Sequence, residues 1–145
     1  MGEFPLRSPS AKVGSIFHFG RMLDKIRLHA QGRLLAEYQA NLGKGFDGSC
    51  VKLLGVDYGE LAERVKNGGS DEEILRWCLE RGRRPSEREI HVWNEFMRKL
   101  GWNDEVTETL KRRKKDGALE DRSDIETMFQ FIDADEGRKV ETNKL

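Results

Sequence analysis

The sequence predicts an all-α fold, a compact single-domain bundle of about six or seven short helices. Three observations carry this reading. Four segments open with a capping-box pattern: Asp57…Glu60, Ser70…Glu73, Ser86…Glu89 and Ser123…Glu126. In each, a side-chain oxygen and a carboxylate three residues on can satisfy N–H groups that a helix start leaves unpaired. Each box is followed by apolar residues at helical spacing, and no two segments alternate well enough to pair as strands.

Taken in order, the first helix runs from about Phe19 to Ala30. Phe19, Met22, Leu23, Ile26 and Ala30 share one face, and Gly32 supplies the stop. Residues 34–42 alternate in part through Tyr38, Ala40 and Leu42; lacking a partner strand, they are expected to form an ordered loop. A short helix over about 50–54 ends at Gly55. Tyr58, Leu61, Ala62 and Val65 form the next stripe, with Val56 and Leu61 at the two positions of a hydrophobic staple. Then come Ile74, Leu75, Cys78 and Leu79, and after them Ile90, Trp93, Met97 and Leu100 with Phe96 beside them. Asn103 or Asp104 can cap a helix reaching about Lys115, which has only Val106 and Leu110 to bury. The last helix carries Ile125, Met128, Phe129 and Ile132.

At 145 residues the chain fits one domain, residues 1–145. A chain of that length buries roughly 68–70% of its unfolded surface, enough for one core without staples. The N-terminal ~15 and C-terminal ~10 residues carry no stripe and are expected to be extended or loosely packed, as chain ends commonly are. The 26 basic and 26 acidic side chains cancel, so the electrostatic footprint of a general nucleic-acid binder is absent. Charge is uneven, however. Residues 1–55 carry eight basic and four acidic side chains, and residues 116–145 four basic and nine acidic, so the acidic end is expected to pack near the first helix.

Cys50 and Cys78 stand outside any C-x-x-C pair, and three histidines form no metal-ligand spacing. Two buried, reduced thiols and no metal are expected. No apolar run approaches the ~20 residues that span a bilayer. Met1-Gly2-Glu3-Phe4-Pro5 lacks the basic and apolar regions of a signal peptide, so the expected location is cytoplasmic, away from membranes.

Several motifs fail on inspection. Gly43-Lys44-Gly45-Phe46-Asp47-Gly48 matches G-x-G-x-x-G but follows no strand and belongs to no βαβ unit, so no dinucleotide cofactor is read. From Asp133, the sixth and twelfth positions of a calcium loop would be Arg138 and Lys144, where Gly and Glu are needed. Lys111-Arg112-Arg113-Lys114-Lys115 stands at a helix C-terminus, where the dipole favours cations, and has no interleaved aromatics for base stacking. His91 reads as a core or boundary histidine, and Trp77, Trp93 and Trp102 as core or boundary anchors.

One polar cluster survives. At 100° per residue, Lys25 lies about 40° and Asp24 about 60° from Arg21, opposite the apolar face of the first helix. His18 joins them if the helix starts that early. Arg and Lys together suit a phosphate or carboxylate, with Asp24 orienting either cation. The loop after Gly32 must double back within about ten residues, a common connection length. That lays Tyr38 and Asn41, with Asp47 beyond them, along the charged face. Arg21, Asp24 and Lys25 are therefore expected to border a concavity, with Asp24 paired to Arg21 or Lys25.

Arg7-Ser8-Pro9, the run from Phe19 to Arg27, Leu54-Gly55-Val56-Asp57, the run from Ser70 to Trp77, Asp124 to Phe129 and Ile132 to Arg138 occur in that order. Together they resemble the bacterial domain-of-unknown-function family 5069, with the R-M-L-D-K-x-R string from Arg21 to Arg27 as the most specific part. The resemblance implies a compact helical domain of bacterial origin and brings no catalytic residues with it. The leading functional expectation is a small binding or interaction module for an anionic small ligand or a protein partner. The alternative is an enzyme with a polar site around Arg21, Asp24 and Lys25.

Overall fold

The structure, a computed structural model, describes residues 4–141. Met1 to Glu3 of the leader reading, Lys144 of the rejected calcium loop and the outer ends of both termini lie outside the described residues. A hairpin of β1 (Lys12–Val13) and β2 (Ile16–Phe17) leads into α1 (Phe19–Ala30), α2 (Ala36–Gln39), α3 (Phe46–Leu54) and α4 (Tyr58–Lys66). There follow α5 (Asp71–Arg81), α6 (Glu87–Lys99), α7 (Thr107–Asp116) and α8 (Met128–Asp135). The fold is predominantly helical, and the two-residue strands form its sole sheet among the described residues.

Eight helices are described, one more than the upper expectation. The addition is α2, a single turn inside residues 34–42 that buries none of its residues and so leaves no stripe in the sequence. The hairpin turns at Gly14 and Ser15, with φ of 55° and 68°. Positive φ at both central residues is what a tight hairpin turn requires. Helix α6 holds it: Trp93 Nε1 donates to the Phe17 carbonyl at 3.0 Å and Asn94 Nδ2 to that of Ser15 at 2.7 Å.

The boxes at Ser70 and Ser86 close in both directions. Asp57 caps α4 by accepting from the Glu60 N–H. The fourth box is displaced. Helix α8 starts four residues later than Ser123 implies, capped by Thr127 with Gln130 as the reciprocal partner. The Met128 N–H donates to the Leu100 carbonyl at 2.8 Å, which ties this start to the end of α6. Residues 123–126 instead approach that junction, burying Ile125 on the way.

Phe19, Met22, Leu23 and Ile26 are buried as their stripe predicts, and pack with Leu54, Leu61, Ile74, Cys78, Met97 and Phe129 in the main core. A smaller cluster of Leu110, Ile125, Met128 and Phe131 joins α7 to α8. Phe46 and Val106 pack against both. The segment before the hairpin is not loose, since Leu6 is only 1% exposed. Trp102, expected as an anchor, is 46% exposed, and Phe96 stands out from α6.

Candidate functional site

Helix α1 is buried on two sides, the apolar one and part of the charged one. Arg21 is 4% and Lys25 7% exposed. With His18, which precedes the helix, they form a stripe at spacings of three and four, one face of a helix. Burying such cations is costly unless each finds a partner. Each does, and the partners come from distant segments.

Glu136, just past the end of α8, accepts from Arg21 Nη1 at 2.8 Å and Nη2 at 2.6 Å in a two-pronged pair. The same carboxylate accepts from Tyr38 Oη at 2.9 Å and Arg138 Nη1 at 2.7 Å. Arg21 also reaches the Arg7 carbonyl at 3.0 Å. Burial, with the Glu136 carboxylate beside it, pushes the Tyr38 hydroxyl well above its ordinary pKa. The acidic end of the chain thus meets the first helix, as the charge distribution predicts.

Asp47, in the first turn of α3, is fully buried. One oxygen lies 2.7 Å from His18 Nε2, the other 2.8 Å from Lys25 Nζ and 3.2 Å from the Gly43 N–H. Burial pushes the Asp47 carboxyl up, but the His18 bond and the Lys25 ammonium outweigh it and hold its pKa below the usual value. Burial likewise holds the His18 imidazole below its ordinary pKa, against the pull of Asp47. Asp47 therefore stands as an ionised carboxylate and His18 as a neutral imidazole. His18 has φ 73°, and its side chain makes no helix-capping bond because it is committed to Asp47. Its Nδ1 is buried without a partner among the described residues.

These two networks back one wall of a cavity of ≈ 280 Å³. His18, Arg21 and Lys25 line it from α1, and Tyr38 and Asn41 from the segment that follows. Phe46, Val106, Met128, Phe131 and Ile132 give it an apolar side at the seam between the two cores. Lys44, Gly45, Thr109, Arg113 and the carboxylates Asp135 and Glu136 complete the lining; Lys44 and Arg113 are exposed, with no side-chain partner among the described residues.

Two of the six sequence-derived site residues lie elsewhere. Asp47 sits behind the wall and holds it in place. Asp24 pairs with neither Arg21 nor Lys25; it accepts from Arg7 through the backbone N–H at 2.8 Å and through Nε and Nη2 at 3.0 Å each. The reason is angular. Asp24 and Lys25 fall on opposite sides of Arg21 and so are about 100° apart round the helix. Arg7 extends this outer network to Asp71, at 2.6 Å, which also pairs with Arg27. Glu136, Lys44, Arg113 and the apolar side of the cavity have no signature near the R-M-L-D-K string. The excess of acid after residue 116 and the run from Ile132 to Arg138 are the traces Glu136 leaves in the sequence.

Among the described residues no cluster of metal-ligating side chains occurs, and no helix is long and apolar enough to cross a membrane. A family model described as "Domain of unknown function (DUF5069)" matches residues 3–138, nearly the whole chain. No curated protein matches it.

Proposed function

We propose that this chain, which belongs to the DUF5069 family, is a small-ligand-binding protein whose cavity takes an anionic group on an apolar body. The observation that supports this reading is the pairing of unpartnered Lys44 and Arg113 with the apolar side formed by Phe46, Val106, Met128 and Ile132 in one cavity. Two cations from separate segments suit a carboxylate or phosphate, and the apolar side suits a ring or short chain. The volume of ≈ 280 Å³ favours a compact molecule, at the small end of ligand sites. Arg21 and Lys25 are already neutralised by Glu136 and Asp47, so they shape the wall and leave the anion to the rim.

Titration calorimetry with phenyl phosphate and benzoate tests this reading. Binding of either at about 1 mM or tighter is expected. The double variant Lys44→Ala, Arg113→Ala should weaken it at least tenfold, and raised salt should weaken it too. Neither probe binding, or equal binding by the double variant, rules the reading out.

A further inference from the structure

We infer that the ligand of the cavity is a zwitterion, an α-amino acid with an apolar side chain, whose ammonium donates to Asp135 while Lys44 and Arg113 hold its carboxylate. This rests on the reading of the cavity as a site for an anionic group on an apolar body, and it adds a cationic group beside the anion.

Asp135 reaches the cavity through the geometry of α8. Met128, Phe131, Ile132 and Asp135 stand at spacings of three and four, within about 100° round the helix. All four line the cavity. The stripe is apolar for three members and ends in a carboxylate. Helix α7 is built alike: Val106, Thr109 and Arg113 fall within about 60° of one another and line the same cavity.

The two helices start side by side on the turn that ends α6. There the Met128 N–H donates to the Leu100 carbonyl at 2.8 Å, and the Thr107 hydroxyl to the Gly101 carbonyl at 2.9 Å. Their far ends also meet. A β-carbon at Gly117, just after α7, would stand 3.4 Å from Asp135 Oδ1 and 3.6 Å from the Phe131 ring. Arg113 and Asp135 therefore arrive at one end of the cavity, a cation from one helix and an anion from the other.

Asp135 stands there without a counter-charge. Of the three acids at the end of α8, Asp133 pairs with Arg138 at 3.1 Å and Glu136 with Arg21 at 2.6 Å. Asp135 has no hydrogen bond or ion pair among the described residues, with Arg113 or any other. The last turn of α8 carries no basic residue, and the C-terminal end of a helix dipole disfavours negative charge. A cation supplied by a ligand relieves both deficits. A simple anion held by Lys44 and Arg113 meets the opposite problem, because Asp135 repels it across a small cavity. An ammonium next to the anion turns that repulsion into attraction, which selects one ligand class over the other. An α-amino acid carries both charges on one carbon, and its side chain then lies along Phe46, Val106, Met128 and Ile132.

The probes are L-phenylalanine and hydrocinnamate, the same molecule without its amine, titrated at neutral pH into the isotope-labelled full chain and followed by NMR. Phenylalanine should bind at least about fivefold tighter. Asp135→Asn, at an exposed position with no bond to break, should abolish that preference by weakening phenylalanine and leaving hydrocinnamate unchanged or tighter. Glu120→Gln, an exposed acid away from the cavity lining, should change neither. Phenylalanine binding no tighter than hydrocinnamate, or a preference that survives Asp135→Asn, overturns the ammonium site, while hydrocinnamate binding in the same titrations leaves the anion site standing. Binding of neither compound overturns both. The double variant Lys44→Ala, Arg113→Ala reads the anion half separately and should weaken the two compounds alike.

Discussion

His18 and Asp47 couple the site to the stability of the fold. The native state disfavours a proton on His18, whereas the unfolded chain accepts one near pH 6.5. Below that pH the unfolded state binds more protons, so stability falls as pH falls. Above it the contribution of His18 is fully present. Asp47 has a depressed native pKa, so its contribution holds above the ordinary 3.8 and is lost at lower pH. The two windows are separate, which makes the His18 part measurable alone. The unfolding free energy of the wild type, measured by urea titration, should be level above pH 6.5 and decline between there and about pH 5, by at most about 1.4 kcal/mol per pH unit. His18→Gln should flatten that decline; a wild-type curve already flat through this range contradicts a neutral buried imidazole.

At the scale of elements, helix starts decide where functional groups arrive. Thr127 is fully buried and begins α8, whose far end delivers Glu136 to Arg21. Its hydroxyl accepts from the Gln130 N–H at 3.2 Å, and Gln130 Oε1 accepts from the Thr127 N–H at 3.1 Å. Removing the hydroxyl leaves a buried donor without its acceptor, a larger loss than at a solvated cap. Thr127→Ala should therefore cost about 2 kcal/mol, and Ser86→Ala, at the exposed start of α6, about 1 kcal/mol or less. Chemical denaturation of both variants measures the difference, and equal costs would show that burial adds nothing to the Thr127 cap. Helix α7 has the opposite character. Leu110 is its one buried residue, and its last turn carries Arg113, Lys114 and Lys115. It brings Arg113 to the cavity with little apolar attachment of its own.

Across the whole molecule, Phe46 and Val106 pack against both cores and join them. The chain ends are tied into the same unit. Arg21 and Glu136 meet across 115 positions of sequence, and Arg138 donates to the Leu6 carbonyl. Without Arg21 the Glu136 carboxylate keeps Arg138 and Tyr38, so it is not left uncompensated. Arg21→Ala removes two charge-assisted bonds and should cost about 1.5–3 kcal/mol, beyond the few tenths typical of an exposed pair. Tryptophan fluorescence, chiefly Trp93 and Trp77 of the main core, and helical circular dichroism should shift together to the same lower midpoint. Separate transitions would show that the α7–α8 cluster unfolds on its own.

What the sequence determined is local. Stripes of period 3.6 and side chains that satisfy unpaired N–H groups depend on neighbours three or four residues away, so α1 and α4 to α6 could be read directly. The charge excess even placed the acidic end beside α1. The start of α8 was misplaced because Ser123…Glu126 and Thr127…Gln130 are both sound boxes, and only the bond from Met128 to Leu100 selects the second. The α2 turn buries nothing and left no pattern. The site was half legible for the same reason. Helical geometry put Arg21, Lys25 and His18 on one stripe, but their partners lie 115, 22 and 29 residues away, at Glu136 and Asp47. Asp24 shares the string with Arg21, yet the fold gives it to Arg7, because a step of 100° per residue sends adjacent side chains to different neighbours. A buried charge must find its counter-charge wherever the packed chain supplies one. That choice is made by the tertiary structure.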